Sequence, residues 1–457
     1  MKLFIQSVYC LLFTITTYSA NALDTTASSS LRTSQNIESA SDTLANPEGD
    51  AVIEYTPPLP DEPTDFRVIG DFDPTIPAKF TNHQSTIDYD LMGGYIESVL
   101  SNHVVGYAYV VNGDGVPQSW NSEGHAKTPA DGGLNMSVYT RSDIASVTKQ
   151  ITSVASVKIL EEAGLSIETK IKDYLPNGWS KGSGVNDLEF KDLLTHSTGW
   201  GQLWDNLNDK EQEDWNNDWD GLKYVISLDA SPGSSYSYKN ANTALLRILI
   251  PKIWVAMGGA PYESVTSANH ELIYLAYIQH NIFNPIGIYN VTCWLQPAED
   301  EALAYSFDHV NTGGISHETS LTDGCGGHAG LRLSAVELAK YLAYLRHSHE
   351  IITASQLALI NQQELGWDYA NDGKYTKGGY RFNTTTVDTN PNDSNGVYIN
   401  YPLKQNTVYE YRKASRACVA ILPYGVEASL IINSEYEGGD PISTCGILLD
   451  AFNTSAD

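Results

Sequence analysis

The sequence predicts an α/β chain of the α+β kind, with one central antiparallel sheet flanked by helices and an all-helical subdomain inserted between its halves. Two observations carry this. Runs with strand character stand near both ends of the folded region, at 104–111 and again at 415–433. Between them, from about 150 to 347, the apolar spacing is mainly helical. Strands from distant segments that share one sheet, with helices in between, leave few other layer arrangements open.

The elements follow in order. A helix is expected over 85–101, with Ile87, Leu91, Tyr95, Ile96 and Val99 on its apolar face. A strand over 104–111 runs into the turn Asn112-Gly113-Asp114-Gly115, and a second strand covers about 116–120. Beyond the Ser146-Val147-Thr148-Lys149 step a helix runs to Gly164, with Ile151, Val154, Ala155 and Leu160 inward. Segment 244–256 is apolar but carries Arg247 and Lys252, which favours a buried helix over a membrane span. Ser334-Ala335-Val336-Glu337 is a capping box that opens a further helix. Two strands, 415–422 and 426–433, flank Pro423-Tyr424-Gly425 as a hairpin, and an amphipathic helix over 441–452 closes the chain.

The ends and the charge point to export. Residues 1–22 read as a secretory signal, with Lys2, an apolar run around Leu11-Leu12-Phe13 and the small-x-small step Ala20-Asn21-Ala22. Residues 23–65 are rich in Ser, Thr, Pro and acids and bury too little apolar surface to order themselves, so they read as a disordered leader. That leaves 66–457 as the folded domain. Four cysteines remain after the signal, and of their three pairings Cys293–Cys325 with Cys418–Cys445 is preferred. Glycosylation sequons stand at Asn135, Asn290, Asn383, Asn392 and Asn453. The net charge of −28 repels nucleic acid and anionic membrane surfaces, and no run is long enough to span a bilayer.

The chemistry centres on Ser146-Val147-Thr148-Lys149. Residues three apart share a helix face, so this serine and lysine can touch. A serine hydroxyl needs a base, and a desolvated lysine can be one. Acyl transfer also needs a proton donor for the leaving group and donors for the oxyanion. Tyr238-Lys239-Asn240 offers a phenol and an amide, but Tyr369-Ala370-Asn371 and Tyr398-Ile399-Asn400 repeat the pattern. Lys377-Gly378-Gly379 offers a cation beside a glycine at a strand edge. Its competitor His328-Ala329-Gly330 directly precedes the capping box and reads mainly as a turn.

On these residues the chain resembles the serine β-lactamase and penicillin-binding protein superfamily, most nearly its class C β-lactamase and esterase branch. The resemblance covers about 85–452. It rests on five blocks in order: 144–176 around Ala145-Ser146-Val147-Thr148-Lys149-Gln150, Asp192 to Gly199, Pro232 to Asn240, Phe283 to Ile288, and the glycine-rich turn before Ser334. It implies a β-lactamase/transpeptidase-like fold and selects Tyr238 over its two repeats. It implies Ser146 as the acyl-accepting nucleophile, Lys149 and Tyr238 as the acid/base pair, Asn240 as an orienting amide and Lys377 as the partner of a substrate carboxylate. The oxyanion donors would be the backbone N–H groups of Ser146 and of Tyr380, the residue after Gly379. The expected protein is a secreted serine hydrolase acting on an ester, amide or D-amino-acid peptide, with no cofactor and no metal.

Two positions depart from the family pattern. Lys239 stands where a small residue is usual, and its side chain is expected to point to solvent, as lysines are rarely buried. Gly378 replaces the usual threonine, which weakens a β-lactam reading more than an esterase or peptidase reading. Trp204, Trp215 and Trp219 are expected to pack under a long loop, His196 to be structural, and His347-Ser348-His349-Glu350 to be a solvated helix end. His270 and His280 are too far apart for a zinc helix, and no Gly-x-Ser-x-Gly elbow appears. The alternative function is a catalytically silent secreted homologue that binds peptidoglycan or a peptide in the same cleft.

Overall fold

The structure, a computed structural model, describes residues 87–204, 206–208, 217–293, 301–305, 325–367, 369–371, 380–384, 415–436 and 443–456. All of these fall within one unit, Tyr55–Asp457. The signal, the leader and the sequon at Asn392 lie outside the described residues.

Strands from both ends of the chain meet in one sheet. β1 (Gly106–Gly113) turns into β2 (Val116–Lys127), which runs well past the expected end and pairs with β3 (Leu134–Asn135). On its other side β1 pairs with the C-terminal strand β9 (Val426–Ile432), from Tyr107↔Ile432 to Gly113↔Val426. The order is β3-β2-β1-β9-β8-β7-β6, with β8 (Arg416–Ile421), β7 (Tyr380–Thr384) and β6 (Tyr369–Asn371), and every pairing is antiparallel. The rejected repeat Tyr369-x-Asn371 is thus the strand at the sheet's outer edge. A two-stranded ribbon, β4 (Ser142–Asp143) with β5 (Arg332–Leu333), stands apart.

Side-chain alternation assigns the sheet's two faces. Tyr107, Tyr109 and Val111 of β1, with Cys418, Ala420, Leu430 and Ile432, pack under α1 (Tyr89–Leu100) and the last helix, α10 (Thr444–Ser455). Cys418 therefore faces α10, and it is bonded to Cys445 there with Cα atoms 5.4 Å apart. On the opposite face Ala108, Val110, Ala417, Val419 and Ile431 join the larger core, which holds the helical region. Cys293–Cys325, the second pair, lies in that core with Cα atoms 5.5 Å apart. Both preferred pairings are present.

The expected face of α1 is present except at one position: Ile96 is in the core and Ile87, Tyr95 and Val99 pack against it. Met92, Ile96 and Leu100, each four residues apart, are fully buried, whereas Leu91 is 46% exposed. The helical region comprises α2 (Thr148–Glu162), α3 (Phe190–Leu194), α4 (Trp200–Trp204), α5 (Trp219–Ser227), α6 (Asn240–Ala256) and α7 (His270–Ile278), followed by α8 (Ala335–His347) and α9 (Ala354–Gln363). Ile151, Val154, Ala155 and Leu160 of α2 are buried as expected, and Gly164 ends that helix at φ +69°. Segment 244–256 is the buried helix α6, and Ser334 caps α8 with the reciprocal Glu337 bond.

The end of α8 corrects the sequence reading. His349 and Glu350 are exposed as expected, but the His347 ring is buried: its Nε2 lies 2.7 Å from the buried Glu427 carboxylate, which also accepts from Arg346 Nη1 at 2.8 Å. The hydrophobic spacing of α8 gave no sign of that carboxylate, which arrives from β9. Among the described residues no group of three or more His, Cys, Asp or Glu is arranged to hold a metal, and no helix is long and apolar enough to cross a membrane.

Candidate active site

Ser146 sits at the N-terminus of α2, in a 3-10 turn (Ala145–Val147) that leads into the helix. The ribbon β4–β5 delivers the chain there, and Ile144 N–H donates to the Leu331 carbonyl at 2.9 Å. Ala145 stands at φ +42°, a left-handed conformation that costs a residue bearing a Cβ about 1–2 kcal/mol. The Asp143 carboxylate, which accepts the Ala145 N–H at 2.7 Å, offsets part of this cost. Strain of this kind next to a chemically competent side chain is characteristic of functional sites.

The turn places Ser146 Oγ between two partners. Lys149 Nζ donates to it at 2.7 Å, and Tyr238 OH lies 2.8 Å away. Lys149 is 1% exposed, and its second acceptor is the His328 carbonyl at 2.7 Å. Its ammonium also lies 4.7 Å from the centre of the Tyr238 ring. The turn containing His328 was read from sequence as a turn and is one. Its backbone carbonyl, which no side-chain motif reveals, is what it contributes.

Tyr238 is held from behind by His196, whose ring stacks on the phenol with centroids 4.8 Å apart. His196 Nδ1 accepts from the Lys239 backbone N–H at 3.2 Å and from Asn242 Nδ2 at 2.9 Å. The orientation of the Asn242 amide follows, because its Oδ1 accepts from Thr198 Oγ1 at 2.8 Å. Burial, and then the charge of Lys149, push His196 down to about 3. The same causes, with Arg247 added, hold His328 well below the usual imidazole range. Two imidazoles held neutral thus stand within the field of Lys149, and one of them stacks on Tyr238. His196 was expected to be structural; the structure adds that the group it supports is Tyr238.

Asn240 is the first residue of α6 and half-buried. Lys377 and Gly379 lie outside the described residues. Tyr380 is the first residue of β7, and the Ala145–Val147 turn lies against β7 and β8. Lys239 departs from its expected course to solvent. It is half-buried, with its ammonium 3.6 Å from the centre of the Trp204 ring. Trp219 packs edge-on against Trp179 and tilts over His270, as expected for a packing tryptophan.

A hydroxyl between an amine and a phenol, in a turn that opens a helix, has the parts for proton removal, nucleophilic attack and proton return. Backbone amides in a helix's first turn lack intrahelical acceptors and favour a developing negative charge.

Known proteins share this architecture. A penicillin-binding protein homologue from Pyrococcus abyssi is similar over 80% of this chain and 76% of its own, with 17% identity and a TM-score of 0.56. A D-amino acid amidase from Ochrobactrum anthropi SV3 aligns over 79% of this chain and 97% of its own, at 14% identity and a TM-score of 0.54. A β-lactamase/D-alanine carboxypeptidase from Yersinia pestis aligns over 80% and 97%, at 15% identity and the same TM-score of 0.54. Protein flp of Staphylococcus aureus is 24% identical over 171 residues, 36% of this chain. The match spans about a third of that relative, 32% of its length. The family model Beta-lactamase matches residues 90–409, well over half the sequence, and on that match this chain belongs to the Beta-lactamase family.

Proposed function

We propose that this protein is a secreted serine hydrolase that forms an acyl-enzyme on Ser146. Its substrates would be an ester, an amide or a D-amino-acid peptide, and it would sit nearest the class C and esterase branch of the family. The observation that carries the reading is the contact of Ser146 Oγ with both Lys149 Nζ and Tyr238 OH, at 2.7 and 2.8 Å. In the forward step the Lys149–Tyr238 pair takes the Ser146 proton as Oγ bonds to the substrate carbonyl carbon. The oxyanion is received by the N–H groups of Ser146 and Tyr380, and Lys377 pairs with a substrate carboxylate. As the tetrahedral intermediate collapses, the bond to the leaving group breaks and the same pair returns the proton to it. Water then attacks the ester by the reverse route, releasing the acid and restoring the serine.

Names of similar proteins support the substrate class: a D-amino acid amidase and a D-alanine carboxypeptidase share the fold. Two disulfides suit an oxidising compartment, in line with removal of a signal over 1–22. Asn135, Asn290 and Asn453 are exposed and accessible to N-glycosylation. Labelling with a fluorophosphonate and a fluorescent penicillin, wild type against Ser146→Ala, tests the reading. Ser146-dependent labelling by the fluorophosphonate alone identifies an esterase or peptidase, and labelling by both a penicillin-recognising enzyme. Absence of both adducts leaves the silent binding homologue.

A further inference from the structure

The contact between Lys149 and the His328 carbonyl depends on a turn that is itself held by a buried charge. Arg247, in the second turn of α6, is 0% exposed. Its Nη1 donates to the Gly326 carbonyl at 3.1 Å, and its Nη2 donates to the Asn217 carbonyl. Its Nε lies 3.7 Å from the Glu271 carboxylate, also buried. A guanidinium and a carboxylate taken out of water together add little to stability over apolar residues of the same volume. Packing of α6 alone therefore gives no reason for this pair in the stretch Leu245–Ile250, whose other residues are all Leu or Ile.

What the pair reaches is informative. The Gly326 carbonyl gripped by Arg247 also accepts the N–H of His328 at 2.8 Å. One residue along, the Gly327 carbonyl lies 2.7 Å from Thr152 Oγ1, closer than the Thr148 carbonyl at 2.9 Å, and Tyr274 OH lies 2.6 Å from that same hydroxyl. The next carbonyl, His328, is the acceptor of Lys149. Three successive carbonyls are thus fixed by Arg247, Thr152 and Lys149. The turn cannot slide toward α6, because Gly327, at φ +72°, has room there only for hydrogen: a Cβ would lie 2.9 Å from the Thr243 carbonyl and 3.0 Å from Arg247 Cβ. On its N-terminal side the turn begins at Cys325, tethered to Cys293.

The geometry points to Arg247 and Thr152 as positioning residues for Lys149. By clamping the Gly326–Gly327–His328 backbone they fix the carbonyl that aims the Lys149 amine at Ser146 Oγ. The inference rests on the proposed acyl-enzyme chemistry and adds to it two residues that touch neither Ser146 nor Tyr238.

The test is the kinetics of fluorophosphonate labelling, resolved into the maximal rate kinact and the half-saturating concentration KI. Arg247→Lys keeps a charge opposite Glu271 but cannot span the two carbonyls. Thr152→Val keeps the shape and removes only the hydroxyl. In each variant kinact is expected to fall roughly ten- to a hundredfold, the scale of a misplaced reacting group. KI is expected to stay within about twofold, since reversible probe binding is untouched, and near-UV circular dichroism to stay native. A folded variant that labels at the wild-type rate overturns the clamp, even if its melting temperature has dropped. Should Arg247→Lys not fold, Thr152→Val decides alone. Wild-type protein without Ser146-dependent labelling overturns the proposed function and the inference together, whereas normal labelling of the variants overturns only the inference.

Discussion

The imidazole of His196 lies against the phenol of Tyr238, ring centroids 4.8 Å apart and planes 27° from parallel. Burial keeps that imidazole neutral, and its Nδ1 is saturated by Asn242 and the Lys239 backbone. Its role toward Ser146 is therefore indirect, through the orientation of Tyr238. His196→Ala is expected to slow fluorophosphonate labelling by roughly tenfold. Adding it to Tyr238→Phe should cost little more, because residues that act through one another are not additive. A full further tenfold loss in the double variant would show that His196 acts elsewhere.

Lys149 and Tyr238 share one proton transfer, so their losses should overlap. Lys149→Met and Tyr238→Phe are each expected to lower the labelling rate by about 10²–10⁴. The double variant should fall near the worse single, as groups that work as a unit do. Multiplying losses, measured as rate constants at one pH, would assign the two residues to separate steps.

Three buried histidines make stability depend on pH. His196 and His270 are pushed down to about 3, chiefly by burial and secondarily by Lys149 and Arg247 respectively, and His328 is displaced in the same direction. Their folded-state values lie below the unfolded one near 6.5, so below that pH the unfolded chain binds protons that the folded chain refuses. The stabilisation is complete above about pH 6.5 and is lost progressively as the pH falls toward 3, by up to ~1.4 kcal/mol per pH unit for each histidine. Thermal melts between pH 7.5 and 4.5 should show a steep fall, and His270→Gln should make it shallower. A flat profile would mean that these rings are accessible to protons in the folded protein.

Lys239 is next to Tyr238 in sequence, yet its ammonium rests on the face of Trp204, at 3.6 Å. Such a contact contributes about 0.5–2 kcal/mol. Lys239→Met should therefore lower the melting temperature slightly and leave the labelling rate within about threefold, less than 1 kcal/mol of barrier. A tenfold change in rate would instead make Lys239 a direct electrostatic partner of the phenol.

Much of this site was legible because its side chains recur at fixed spacing. Ser146, Lys149 and Tyr238 were named from blocks of sequence, and the structure brings those three together. The sheet was legible from the strand-like runs at 104–111 and 415–433; the division of β1 between a face with Tyr107 and Tyr109 and one with Ala108 and Val110 was not, since both faces are apolar and buried. What stayed hidden depends on backbone and on long-range partners. The His328 carbonyl is common to any residue at that position. The strained φ of Ala145 leaves no mark in composition. Glu427 meets His347 only because β9 returns beside α8, so one ring of an otherwise exposed helix end is buried. On the α1 face only Leu91 departs from expectation: it turns outward, and its neighbour Met92 packs inward instead. Lys239 was sent to solvent on its residue type alone, and Trp204 lies 35 positions earlier in the chain.

The most direct test of the account is the site of covalent capture. After reaction with a fluorophosphonate, the digested protein is examined by tandem mass spectrometry, with Ser146→Ala in parallel. A single-equivalent adduct is expected on the peptide that bears Ser146, absent from the variant. An adduct on another residue, or one that survives Ser146→Ala, would contradict it.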